Sequence, residues 1–186
     1  MLRTRRSPVV GVVALTPRRM WRAILIATLL FVPSYWALLA GIVAASSEEA
    51  GAPNAGPLLA LGLSLLPFVF IVLAFLSEHP RAPGAAVRAM GLAILVGIPV
   101  SALAADAVTG LVAGVGAGGI AALRSDAVRA WRPRALGVLA ASAYVVLMLR
   151  LTGALVLVVA PALPFTAIGV ADHLAERRRE RADATG

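Results

Sequence analysis

This chain has no cysteine and no lysine. Without cysteine there is no disulfide framework, no thiolate metal site and no cysteine nucleophile. Charge is scarce too, at 14% of residues, where a soluble domain of this length carries about 25%. Histidine occurs only twice. From so few ionisable groups no Ser–His–Asp set, pair of catalytic carboxylates, Walker loop or zinc signature can be assembled on one membrane face. The sequence therefore predicts a protein that is not an enzyme and needs no cofactor or metal.

What is present in excess is apolar. Hydrophobic residues make up 60% of the 186, and the mean hydropathy is +0.91. Such a chain could not cover its own core with polar surface in water, so it belongs to the membrane class. All 17 basic residues are arginine, and the net charge is +8. Arginine in place of lysine, with abundant alanine and glycine, fits a GC-rich bacterial genome. A basic balance often marks a nucleic-acid partner, but the arginines are placed as topology signals, so no nucleic acid is expected. Arg3, Arg5 and Arg6 precede an apolar run, as in a secretory signal. That run, 23–45, exceeds the ~7–15 residues of a signal core, and an uncleaved first span is the reading taken.

Six intervals carry no charged residue or histidine: 23–47, 57–77, 89–105, 107–123, 135–149 and 151–171. The first two each suit one helix of about 20 residues. The others form two pairs, broken only by Asp106 and by Arg150. The segments 3–22, 81–88, 124–134 and 177–181 hold 16 of the 17 arginines, and the positive-inside rule puts all four in the cytoplasm. Each pair must then cross an even number of times. The expectation is an all-α polytopic bundle of about six spans in three antiparallel hairpins, with both termini cytoplasmic. Glu48, Glu49, Asp106 and Arg150 face outward in that threading. Four spans with two re-entrant hairpins is the alternative, because the later intervals are short. The domain plan is a basic N-terminal segment, 1–22, a transmembrane domain, 23–172, and a basic tail, 173–186. A weak internal repeat fits the hairpins: Arg88-Ala-Met-Gly-Leu resembles Arg134-Ala-Leu-Gly-Val, with an acid 38 residues after each arginine, Asp126 and Asp172.

Gly114-x-Gly116-x-x-Gly119 has the spacing of a dinucleotide-binding loop. That loop needs a preceding strand and an acidic residue about 20 positions on. Here Asp126 comes too soon and the flanks are apolar for a whole span. A second pattern fits better. Gly110, Gly114 and Gly118 recur every four residues, with Ala113, Ala117 and Ala121 beside them. In lipid, helices are held by close backbone approach, which such rows permit. The row serves either internal packing or docking of another protein or a second copy.

Other features carry two readings each. Asp106 is either the N-cap of a returning helix at an outer-face turn or a cation contact. Pro33, Pro67, Pro99, Pro161 and Pro164 fall near mid-span, where transporters break helices and where proline is also simply tolerated. Ser34, Ser64, Ser101, Ser142, Tyr35 and Tyr144 are the polar candidates at that depth. Glu78, His79, Asp172 and His173 would meet as a metal site only if their spans were neighbours, and a histidine near a helix C-terminus is favoured by the dipole alone. Arg177, Arg178, Arg179 and Arg181 form a juxtamembrane cluster for anionic lipid headgroups. Trp21 and Trp131 suit the interface.

The runs VGIPVSALAADAVTGLVAGVGAGGIAALRSD and APALPFTAIGVADHLAERRR resemble a group of small integral membrane proteins of actinobacteria, over most of the chain beyond residue 77. The resemblance implies a bacterial plasma-membrane location and contributes no catalytic or ligand residue. The functional expectation is a non-enzymatic membrane partner or assembly component of the cell envelope, contacting membrane lipids and another envelope membrane protein or itself. A small uncoupled transporter or channel for a neutral or apolar solute is the alternative.

Overall fold

A computed structural model of the chain describes residues 17–46, 54–124 and 131–184. Glu48, Glu49, Asp126 and the first three arginines lie outside these residues. The described elements are all helical: α1 (Pro17–Ser46), α2 (Ala55–Leu76), α3 (Ala82–Ala104), α4 (Ala107–Ala122), α5 (Trp131–Thr152), α6 (Leu155–Val159) and α7 (Leu163–Ala184), with a 3-10 turn, Ala160–Ala162, between the last two. The boundaries expected at 22/23 and 172/173 thus fall inside α1 and α7.

Five helical runs are long and apolar enough to cross a membrane: α1, α2, α3, α5 and the continuous stretch Leu155–Arg178. Their outward faces carry Leu29, Phe75, Leu95, Leu103 and Leu155, all exposed. Helices that are apolar all round, with the surplus turned outward, require lipid. The protein is a multi-pass helical membrane protein. α4 is the exception, with 16 residues, or about 24 Å at 1.5 Å per residue. A helix so short would fall short of a ~30 Å hydrocarbon core on its own. It need not reach, because neighbours enclose it: 11 of its 16 residues are buried.

The helices pair as three antiparallel hairpins. In α1–α2, Leu38 seats over Gly62 and Leu59 over Gly41, and the Ser34 hydroxyl donates to the Gly62 carbonyl at 2.7 Å. In α3–α4, Gly97 faces Gly110 and Gly114 while Ala89 faces Gly118. In α5–α7, Gly137 faces Ala167 and Ala171. The hairpins join along two lines. Phe31 on α1 meets Phe165 on α7 edge-to-face, with centroids 6.0 Å apart. Gly116 and Gly119 of α4 receive Val138 from α5 and Phe165 with Ile168 from α7.

Local chemistry sets each turn. α2 ends with the amide of His79 on the carbonyl of Ala74 and that of Glu78 on Phe75, the double bond of a Schellman cap, and Pro80 forbids continuation. Glu78 takes the left-handed position, φ 55°, usually given to glycine. α3 stops at Ala105, also left-handed at φ 51°. Asp106 then caps α4: Val108 and Thr109 donate their amides to its carboxylate at 2.9 Å each, and the Thr109 hydroxyl donates as well. Such a cap contributes about 1 kcal/mol. The third turn lies later than the charge pattern implies. α5 runs through Arg150 to Thr152, and Gly153, at φ 60°, ends it. A long arginine stem near a helix end reaches the interface without breaking the helix, so the charge marked the neighbourhood of the turn while glycine set its position.

Of the mid-span prolines, Pro33, Pro67 and Pro99 sit inside unbroken helices. Only Pro161 falls in a real interruption, the 3-10 turn before α7.

A pair of glycine substitutions tests the packing. A methyl on Gly114 would press on the Ala93 carbonyl and lie 2.9 Å from the Gly97 Cα, whereas Gly91 has nothing within 4 Å. Gly114→Ala should cost about 1–3 kcal/mol. Gly91→Ala should stabilise by roughly 0.5–1 kcal/mol. Thermal unfolding in detergent reads both, and equal shifts would contradict the packing.

Candidate functional site

Polar chemistry gathers at one end of the bundle. Arg19 at the start of α1 pairs with Glu78 after α2, and Arg124 after α4 reaches the same carboxylate at 3.7 Å. The backbone amide of Arg124 donates to the Ser77 hydroxyl oxygen at 3.2 Å. Arg134, near the start of α5, is only 4% exposed. Its Nε donates to both Asp172 oxygens at 2.8 and 2.9 Å, and its Nη2 to one of them at 2.6 Å. The same guanidinium donates to the carbonyls of Leu123 at 3.4 Å and Arg124 at 3.0 Å. One side chain thereby satisfies the C-terminal end of α4, where the dipole favours a cation, and ties α5 to α7. The arginines of 17–22, 81–88, 124 and 132–134 lie toward this end, which is where even-numbered crossings require them.

The two kinds of ion pair differ in weight. Arg19 and Glu78 are 60% and 48% exposed, and such a pair contributes at most about 1 kcal/mol. Arg134 and Asp172 are 5% and 15% exposed. Removing one partner of a buried pair leaves an uncompensated charge, at about 3–5 kcal/mol.

The imagined metal set does not assemble. Glu78 is taken by Arg19 and Arg124, and Asp172 by Arg134. Among the described residues no group of three or more His, Asp or Glu is placed to hold an ion. The His79 ring nitrogen accepts the Arg81 amide at 3.1 Å. Burial first, then the charges of Arg88 and Arg124, lower its pKa.

The hydroxyl candidates do not converge on a path. Ser64 and Ser142 donate to carbonyls of their own helices, while Ser34 crosses to α2. Tyr144 is exposed on the outer surface. Tyr35 is fully buried against Phe31 and Trp36, with its hydroxyl lacking a partner.

The glycine row packs against neighbouring helices of the same chain. Gly110, Gly114 and Gly118 are all buried, and a methyl at each would strike the α3 backbone or the Phe70 ring. α3 and the Phe70 ring of α2 thus cover the row within the chain. The nucleotide-like spacing Gly114, Gly116, Gly119 lies inside one helix, each glycine meeting a different neighbour.

Open spaces remain between the helices. One of them, of about 780 Å³, is a groove between α5 and α7. α5 contributes Arg132, Leu136 and Ala140, and α7 contributes Thr166, Val170, Leu174 and Arg178. Each set follows four-residue helical spacing, so each forms a stripe. Gly137 makes the floor, its missing side chain letting the helix approach the Ala167 carbonyl. Smaller apolar spaces of about 330 and 290 Å³ lie beside α3 and α4. The sequence pattern pointed to the α4 face; the groove went unread, although small residues recur at 137 and 141, and at 167, 171 and 175.

Of the basic tail, Arg177, Arg178 and Arg181 are exposed on a continuous α7, while the Arg179 side chain lies outside the described residues. Of Arg177, Arg178 and Arg181, Arg178 alone lines the groove. No protein-family model matches this chain, and neither a curated protein nor a solved structure matches it.

Asp172→Asn should lower stability by about 3–5 kcal/mol, while the double change Arg134→Met with Asp172→Leu should recover much of that loss. Unfolding midpoints of the variants check this, and a double variant worse than the single one would contradict it.

Proposed function

We propose that the protein is a non-enzymatic component of the bacterial cell envelope that works by binding laterally, within the plane of the membrane, at the α5–α7 groove. The observation that carries this reading is the distribution of space. α4 fills the middle of the bundle, with valine, phenylalanine and isoleucine side chains packed onto its glycines, while a groove of about 780 Å³ opens between α5 and α7. An apolar side groove beside a filled interior suits recognition of something that already resides in the bilayer. The positive-inside rule assigns the arginine-rich end to the cytoplasm. Uncoupled transport is the weaker reading, because the intramembrane hydroxyls are dispersed and mostly engaged with carbonyls.

Photocrosslinking in intact cells tests the proposal, with probes at Ala140 in the groove, Leu147 on the outer surface of the same helix and Val115 in the interior. Ala140 should give one discrete intermolecular product, Leu147 a spread of bulk lipid adducts, and Val115 links within the chain. Identical patterns from Ala140 and Leu147 would contradict lateral binding. Solute flux through liposomes, lost with Ser101→Ala, would establish transport in its place.

A further inference from the structure

We infer that the α5–α7 groove is a binding site for an anionic phospholipid, with its phosphate between Arg132 and Arg178 and an acyl chain along the apolar stripes. The inference rests on the groove being the working surface and names the class of its occupant. Its first support is charge complementarity. Arg132 near the start of α5 and Arg178 near the end of α7 line the same end of the groove; the antiparallel register of Arg134 with Asp172 sets Arg132 opposite Leu174, with Arg178 one turn further along α7. Among the described residues neither guanidinium has an ion pair or hydrogen bond; Arg132 lies 5.8 Å from the centroid of the Trp131 ring. Among the described residues no carboxylate lines the groove. Two free guanidiniums facing one space match the fork geometry that phosphate accepts.

Polarity along the groove supplies the second support. Below the two arginines come Leu136, Ala140, Val170 and Leu174, with Leu163 at the far end. From Arg178 to Leu163 is 15 residues, about 22 Å of helix. One leaflet of hydrocarbon is about half of a ~30 Å core, so the groove is long enough for an acyl chain whose headgroup stays at the interface. Trp131, exposed beside Arg132, sits where an interfacial aromatic belongs. Basic sites between helices at the cytoplasmic side recognise anionic headgroups in this manner. A partner helix would find two cations at the groove mouth and no acid to meet them, which favours the lipid.

The test is native mass spectrometry of the full chain in detergent, titrated with phosphatidylglycerol or with phosphatidylcholine. One phosphatidylglycerol per chain should persist, and phosphatidylcholine should bind more weakly. Arg132→Gln and Arg178→Gln should each weaken retention about fivefold, Ala140→Phe should abolish it, and Arg88→Gln, on α3 and outside the groove, should leave it unchanged. Equal loss with Arg88→Gln, or equal binding of both lipids, would overturn the site. If Ala140→Phe instead displaces a co-purifying polypeptide or a second copy of the chain, the lipid assignment fails while the groove stands. If Ala140→Phe alters no bound species, both fail.

Discussion

The approach of α4 to α3 is the contact on which the rest of the bundle depends. In a bilayer, lipid tails are as apolar as leucine, so helices gain little by hiding hydrophobic side chains from each other. They gain from dense backbone contact, and that requires surfaces without side chains. α4 supplies them on several sides at once: Gly110 and Gly114 toward α3, Gly116 toward α5 and Gly119 toward α7. A helix this thin can stand in the middle of the bundle and be shorter than the membrane, because protein rather than lipid surrounds it. The same density fills the space a pore would use.

Electrostatics completes the arrangement at one end. Placing the charged groups together keeps them out of the hydrocarbon, where a single one costs several kcal/mol. Arg134 then links three segments by satisfying both Asp172 and the last carbonyls of α4. Glu78 holds a left-handed backbone conformation that costs a non-glycine residue roughly 1–2 kcal/mol, and its carboxylate lies between two arginines. Where the packing is less tight, between the outer faces of α5 and α7, a lateral groove remains, and the arginines that head it are among those this network leaves unengaged.

Much of the fold was legible because membrane threading is written in two coarse signals, apolar length and arginine position. The tight turn at Asp106 was legible in detail, since Asp followed by Ala-Val-Thr has the chemistry of a cap. The Arg150 turn was misplaced because a charge was read as a boundary where Gly153 made one. The partner of the glycine row could have been found: Ala85, Ala89, Ala93, Gly97 and Ser101 place small residues at every fourth position of α3. The 38-residue spacing of Arg134 and Asp172 was noticed as a repeat, yet its meaning as a buried ion pair needed the hairpin register. The groove was the least legible feature, because it arises from what α5 and α7 leave open together, and no single helix encodes it.

The absence of native cysteine allows a direct test of the central position of α4. An ideal Cβ at Gly116 would lie 3.2 Å from the Val138 Cβ, close to the ~3.5–4.5 Å separation of a disulfide. The measurement is oxidation of the Gly116→Cys, Val138→Cys double variant in native membranes, followed by mass analysis of the crosslinked species. The account predicts rapid formation of a bond within one chain. Disulfides between two chains, or two thiols that both stay free and reactive, would contradict it.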